Sequence, residues 1–132
     1  GDNGEADVQV YDYILRRSGL KNITTFIHTS YSYLSNDRES RGQKPIGSQI
    51  SFVTPVEVAL ELQKREILGV TAEQNSRFLN SLINDVLSLD DGRESGDLLF
   101  PSWINCQGFQ WSWGSDGRLM QIKNLVESHC QN

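Results

Sequence analysis

The stretch TPVEVALELQKREILGVTAEQNSRFLNSLINDVLSL (residues 54–89) decides the fold, because it contains two helix starts in succession. At the first, Thr54 is placed to cap the helix, Pro55 occupies the first helical position and Glu57 completes a capping box. At the second, Thr71 and Gln74 form another capping box of the same spacing. Only Gly69 and Val70 separate the two periodic segments. The stretch therefore predicts two adjacent helices that form a tight hairpin or corner.

The apolar pattern of these two segments indicates how each helix is buried. The first segment, predicted to run to Gly69, has apolar residues over more than half of its circumference, which predicts a central helix: Val56, Val58, Ala59, Leu60, Leu62, Ile67 and Leu68. The second has one amphipathic stripe with helical spacing. Its members are Phe78, Leu79, Leu82, Ile83, Val86 and Leu87. We expect this stripe to face the core.

Three further segments have helical spacing. ADVQVYDYILRRSG (6–19) has a stripe formed by Val10, Tyr11, Ile14 and Leu15 and stops at Gly19. RLMQIKNLVESHCQN (118–132) has apolar residues on one side and predicts a C-terminal helix. NITTFIHTSYSYLS (22–35) matches a helical period better than alternation, although its threonines, isoleucines and tyrosines favour a strand. We interpret it as a helix.

These elements predict a mainly α fold, a single domain over residues 1–132 with four to five helices and short extended segments near 49–53 and 107–113. Residues 1–6 are expected to be disordered, and residues 35–49 to form a long polar loop. The alternative is an α+β fold in which residues 109–122 form a hairpin, with Phe109, Trp111 and Trp113 on one face.

Charge and length exclude several classes of function. The chain of 132 residues has a formal charge of −5, which argues against nucleic-acid binding, because that binding relies on a basic surface. No apolar run approaches the roughly 18 residues of a membrane span, so no membrane insertion is expected.

Two features favour an extracellular or secretory protein. Asn22 begins the glycosylation sequon Asn-Ile-Thr, and a disulfide between Cys106 and Cys130 would staple the C-terminal helix to the region before it. The cytoplasmic alternative, with two buried thiols, remains open.

Residues 90–97, DDGRESGD, contain two glycines that permit sharp bends and four carboxylates: Asp90, Asp91, Glu94 and Asp97. Calcium takes six to eight oxygen ligands of this kind, so a calcium site is one interpretation. The order of ligands is not that of an EF-hand, and an acidic, solvated turn is the alternative. No other cofactor is expected, since neither a P-loop nor a dinucleotide-binding glycine motif is present.

Catalytic motifs are incomplete. His28 lies near Thr29, Ser30 and Ser32, but there is no Gly-x-Ser-x-Gly elbow, and a serine nucleophile needs partners that are brought together by the fold. A small hydrolase is therefore kept only as an alternative, and the chain is expected not to be an enzyme.

Three tryptophans lie close together at positions 103, 111 and 113. The run WGSDG (113–117) resembles the Trp-Ser-Asp-Gly strings of C-type lectins, but the four-cysteine framework and the calcium motifs of that family are missing, so the resemblance implies no function here. We predict a binding domain that recognises another protein through its loops and an aromatic rim, with a calcium- or carbohydrate-binding module as an alternative. The predicted contact residues are Trp103, Trp113, Asp116, Arg38 and Arg41.

Overall fold

The computed structural model describes residues 1–31, 42–67, 69–88 and 117–128. Within these ranges the fold has four helices and two short strands, which confirms the mainly α prediction. In chain order they are α1 (Asp7–Ser18), β1 (Phe26–His28), β2 (Ile50–Phe52), α2 (Pro55–Lys64), α3 (Ala72–Ser88) and α4 (Gly117–Ser128).

The prediction of a helix over residues 22–35 is wrong, because residues 26–28 form β1. This strand pairs in parallel with β2, and Phe26, Ile27 and His28 lie opposite Ile50, Ser51 and Phe52. Ile27 is fully buried in the middle of the strand. The extended segment near 49–53 was predicted correctly. The local sequence pattern of residues 22–35 is compatible with a helix or a strand. Pairing with the distant β2 decides in favour of the strand at residues 26–28.

Residues 1–6 were expected to be disordered, but residues 1–3 add to this sheet. Asp2 forms a parallel bridge with His28, on the opposite side of β1 from β2. The amide of His28 donates to the carbonyl of Gly1 at 2.8 Å, and the amide of Asn3 donates to the carbonyl of His28 at 3.0 Å. Residues 1–3 therefore act as a short third strand, which satisfies the backbone groups of β1 on its outer side.

The predicted capping box at the start of α2 is present. The carboxylate of Glu57 accepts the amides of Val53 at 3.0 Å and Thr54 at 2.8 Å, and it also accepts the Thr54 hydroxyl. Glu57 is fully buried, and burial raises the pKa of its carboxyl, although hydrogen bonds from Thr54 and Val53 oppose that shift. The cap thus joins β2 directly to α2 inside the protein.

Helix α2 ends at Lys64, earlier than the predicted end at Gly69. The amide of Ile67 donates to the Leu62 carbonyl at 3.1 Å, and that of Glu66 to the Gln63 carbonyl at 3.0 Å, which is the Schellman pattern. Glu66 occupies the left-handed position of this motif with φ 55°, where glycine is the usual residue. The chain therefore turns away from α2 before the apolar pattern ends.

Helix α3 lies between α2 and α4 and packs against both. One apolar cluster joins the three helices and the end of β2, and its buried members are Val53, Val56, Ile83, Val86, Leu119, Ile122, Leu125 and Val126. Leu60, Leu79, Leu82 and Leu87 pack against this cluster from its edge. The predicted α3 stripe is thus confirmed except at its N-terminal end, where Phe78 is exposed.

Helix α4 contradicts the alternative α+β fold, since residues 117–122 are helical and cannot form the second strand of a 109–122 hairpin. The extended segment predicted near 107–113 lies outside the described residues. In α1, the helix and its stop at Gly19 are as predicted, but the buried residue is Val8, whereas Val10 and Ile14 of the predicted stripe are exposed.

Candidate functional site

Most of the residues predicted to form the site lie outside the described part of the chain. These are the contact residues Arg38, Arg41, Trp103, Trp113 and Asp116, the acidic set Asp90, Asp91, Glu94 and Asp97, and the cysteines Cys106 and Cys130. The exception is Asn22, which is exposed in the segment between α1 and β1. Of the predicted polar loop, residues 42–49 are described. Gln49 is buried, and its side-chain amide donates a hydrogen bond to the Val8 carbonyl at 2.8 Å.

A surface groove lies at the corner between α2 and α3. It has a volume of about 420 Å³ and is lined by Gln63, Glu66, Gly69, Val70, Ala72 and Asn75. A second hollow of about 370 Å³ shares Val70 and Asn75 with it and extends along α3 to Gln74 and Phe78. Both volumes fall at the small end of the range for ligand-binding pockets. We call these adjoining hollows the corner groove.

The rim of the corner groove exposes large apolar side chains. Phe78 is 54% exposed and Val70 is 45% exposed, and Ile67, just before the groove in the chain, is 54% exposed. Phe78 lies in the second turn of α3, and its side chain is not covered by the described residues. An exposed apolar cluster beside a hollow is typical of an interaction surface.

The polar groups of the groove have unused hydrogen-bonding capacity. Asn75 Oδ1 is inaccessible to solvent and has no hydrogen-bond partner, although buried side-chain acceptors are ordinarily paired. Glu66 lines the same wall, and its carboxylate forms no ion pair within the described ranges. The groove therefore exposes the carboxylate of Glu66 beside apolar side chains, whereas Asn75 Oδ1 lies beneath its surface.

Neighbouring charges do not neutralise Glu66. Glu61 is approached by Lys64 at 3.7 Å and by Arg65 at 3.4 Å. Glu73, in the first turn of α3, pairs with Arg77 at 2.5 Å. Among the described residues, no basic side chain forms an ion pair with the carboxylate of Glu66.

A second cluster surrounds His28 at the end of β1. Its Nε2 lies 3.1 Å from the Val53 carbonyl, and its Nδ1 lies 2.7 Å from the hydroxyl of Ser30. A carbonyl only accepts, so Nε2 carries the proton and the Ser30 hydroxyl donates to Nδ1. The ring stacks on Phe52 with centroids 5.0 Å apart. Burial lowers the pKa of His28, while the Val53 carbonyl and Asp2 act in the opposite direction.

This arrangement is that of a serine hydroxyl beside a neutral base, but the surrounding donors are already in use. The amides of Ser30 and Tyr31 both donate to Asn3 Oδ1 at 2.8 Å, and the Thr29 amide donates to the Phe52 carbonyl at 2.8 Å. No neighbouring amide of this segment is left to stabilise an oxyanion. The contacts of His28 and Ser30 thus fasten β1 to β2 and to the N-terminus.

Two other kinds of site were sought in the described ranges. No cluster of three or more histidine, cysteine or acidic side chains there is arranged to bind a metal ion. No helix of residues 1–31, 42–67, 69–88 or 117–128 has the length and apolar character needed to cross a membrane.

Sequence reasoning missed the corner groove because it assigned Ile67 and Phe78 to the core. One signal was available: Phe78 begins the α3 stripe within two turns of the Thr71 cap, and a side chain so near a helix start can extend past the neighbouring helix. The early end of α2 gave no such signal, since Glu66 is an unusual residue for a left-handed position.

Comparisons with models of protein families, with curated proteins and with solved structures return no significant match to this chain. Any proposal about its function therefore depends on the chemistry of its own surfaces, and the corner groove is one such surface among the described residues.

Proposed function

We propose that this protein is a non-enzymatic binding domain that recognises another protein, and that the corner groove is part of its contact surface. One observation supports this most directly: Phe78 and Val70 are about half exposed beside a surface groove. Each side chain is already about half buried, so a partner that covered the rest would gain roughly 1 kcal/mol for each of them.

We also propose that the contact residues predicted from the sequence belong to the same surface. Trp103, Trp113 and Asp116, together with Arg38 and Arg41 of the polar loop, would add an aromatic and charged rim to the contact. Aromatic and arginine side chains are the residue types that contribute most to protein interfaces.

We also propose an extracytoplasmic location for the domain. The support is the exposure of Asn22, since an oligosaccharide can be attached only to an accessible sequon. Intact mass of the protein from its native source, with and without reductant, tests this: a glycan at Asn22 and a Cys106–Cys130 bond are expected. A bare asparagine with two free thiols would contradict the location.

A selection from a phage-displayed library of random peptides tests the binding function. We expect the native chain to enrich a family of related peptides, and the double variant Val70→Ser/Phe78→Ser to bind them at least tenfold more weakly. Both side chains are exposed, so the fold should be retained, which circular dichroism can check.

The matched control is Val10→Ser/Ile14→Ser, which removes two equally exposed apolar side chains from α1. It should bind the selected peptides with native affinity. Equal binding by the corner variant and the native chain would contradict the proposed surface, and failure to enrich any peptide family would contradict peptide recognition by this domain.

A further inference from the structure

We infer that this protein self-associates through α1, with the α1 helices of two copies packed antiparallel. The contact surface of each copy, which we call the outer α1 face, consists of Asp7, Val10, Tyr13, Ile14 and Arg17. Its occupant is the same face of a second copy. This inference goes beyond the proposed function and does not depend on the corner groove.

The outer α1 face lies on the side of α1 that points away from the rest of the fold. Its members recur at helical spacing, so they share one side of the helix. On the opposite side, Val8 is fully buried, and its carbonyl accepts the side-chain amide of Gln49 at 2.8 Å. Helix α1 is therefore attached to the fold by one side and presents the other side to solvent.

The middle of the outer α1 face is apolar. Val10 is 45% exposed, Ile14 is 46% exposed and Tyr13 is 57% exposed. The guanidinium of Arg17 lies 4.9 Å from the centre of the Tyr13 ring, so the aromatic ring and the cation belong to one continuous surface. A convex apolar helix face is covered well by a second helix, whose side chains pack between those of the first.

The charged ends make this face complementary to itself. Along the chain, Asp7 and Arg17 are equally far from Asp12, and so are Val10 and Ile14. In an antiparallel pair with its two-fold axis at the level of Asp12, Asp7 therefore lies at the level of Arg17 of the second copy. Val10 lies at the level of Ile14, and the symmetry produces each contact twice. A parallel pair would place like charges beside each other.

Both end charges are open to such a contact. Among the described residues, neither Asp7 nor Arg17 forms an ion pair, whereas the neighbouring Arg16 pairs with Asp12 at 3.0 Å. Asp7 is half-buried and accepts the Asp2 amide at 3.0 Å, but a carboxylate has further lone pairs. The net charge of −5 opposes association at long range, so we expect a weak dimer with a Kd on the order of 100 µM.

Sedimentation equilibrium of the full chain tests the inference, together with ¹H–¹⁵N NMR over the same concentrations. We expect a largely monomeric protein at about 10 µM and mostly dimer at about 1 mM. Amide shifts that depend on concentration should be centred on residues 7–17. A monomer at the higher concentration, or shifts centred elsewhere on the protein, would overturn the inference.

Apolar variants locate the interface. Val10→Ser/Ile14→Ser should raise the Kd of the dimer at least tenfold. The matched control Val70→Ser/Phe78→Ser, which alters the corner groove, should self-associate like the native chain. The opposite result is expected for the peptides selected above, so the two surfaces are tested separately. Equal effects of the two variants on dimerisation would overturn the assignment to α1.

Single charge variants test the ends of the face. Arg17→Gln removes two symmetry-related exposed ion pairs from the dimer and should raise its Kd about fivefold. The control Arg16→Gln removes the same charge from the neighbouring position and should change the Kd less than twofold. Equal effects would indicate general electrostatics and contradict the proposed contact.

A charge exchange tests the antiparallel arrangement. Asp7→Lys and Arg17→Glu should each abolish measurable self-association, because like charges then meet at both ends of the pair. An equimolar mixture of these two variants should form a heterodimer with nearly the native Kd, since an acid again meets a base at both ends. Circular dichroism checks that each variant is folded. Two folded variants that do not associate when mixed would overturn the antiparallel pairing.

Discussion

The helical unit, α2 to α4, and the sheet region, formed by residues 1–3, β1 and β2, are held together by different interactions. In the helical unit, eight buried apolar side chains form one cluster across three helices. In the sheet region, the specific contacts are hydrogen bonds of the buried side chains of Asn3 and Gln49 and of the half-buried ring of His28. Apolar packing tolerates variation in shape, whereas each buried polar contact must be satisfied individually.

The largest expected effect tests the apolar side of this comparison. Ile122 is fully buried in the cluster, so Ile122→Ala should lower the free energy of unfolding by about 3 kcal/mol, the transfer and cavity cost of such a truncation. Urea denaturation measures it. Ile14→Ala, the same change at an exposed site on α1, should cost under about 0.5 kcal/mol. Similar losses at both sites would show that α1 is covered by another part of the protein.

Asn3→Ala tests the polar side. Asn3 is 1% exposed, and its side chain accepts the amides of Ser30 and Tyr31 and donates to the Tyr31 carbonyl at 2.6 Å. Removal of this side chain takes away three hydrogen bonds to the backbone of residues 30 and 31, and a loss of about 2–4 kcal/mol is expected. Hydrogen exchange of the Ser30 and Tyr31 amides should accelerate.

The control for this variant is Asn22→Ala, which changes an exposed asparagine and should shift the free energy of unfolding by less than about 0.5 kcal/mol. If Asn3→Ala unfolds like the native protein, residues 1–3 do not contribute to the sheet, and the proposed difference between the two regions disappears.

Acidification should change the stability contributions of the two regions in opposite directions. The pKa of His28 is lowered from 6.5, so below pH 6.5 the unfolded chain binds more protons, and the contribution of His28 to stability is lost as pH falls through its folded pKa. The pKa of Glu57 is raised from 4.5, so its contribution is present below pH 4.5 and is lost as pH rises through its folded pKa.

The free energy of unfolding, measured from pH 4 to pH 8 in two variants and in the native protein, separates these opposite contributions. In His28→Phe, stability should fall less on acidification than in the native protein. In Glu57→Gln, the gain in stability on acidification should be lost. A change of slope in the same direction in both variants would contradict the assignment of opposite shifts.

The smallest expected effect concerns the end of α2. Glu66→Gly should raise the free energy of unfolding by about 0.5–1 kcal/mol, because glycine adopts φ 55° without the steric penalty of a Cβ. Gln63→Gly, the same kind of change inside the helix, should lower it by a similar amount. Thermal unfolding shows whether each variant is more or less stable than the native protein. Destabilisation by both variants would show that Glu66 makes a stabilising contact that offsets its strain.

The helix starts were predictable because their signals are local. Thr54 with Glu57 and Thr71 with Gln74 are three residues apart, and each pair satisfies amides of the same turn. The role of Asn3 was not predictable, since its partners Ser30 and Tyr31 are 27 and 28 residues away. The corner groove was missed for a related reason, because exposure of Phe78 depends on where a neighbouring helix ends.

The sequence by itself determined four helices, the capping boxes of α2 and α3 and the apolar stripe that joins α3 to its neighbours, because helical periodicity and caps depend on residues within one or two turns. Only the tertiary structure decided that residues 26–28 form a strand and that the N-terminus completes the sheet. These outcomes depend on hydrogen-bond partners and packing surfaces from distant parts of the chain, and no local pattern specifies which distant segment supplies them.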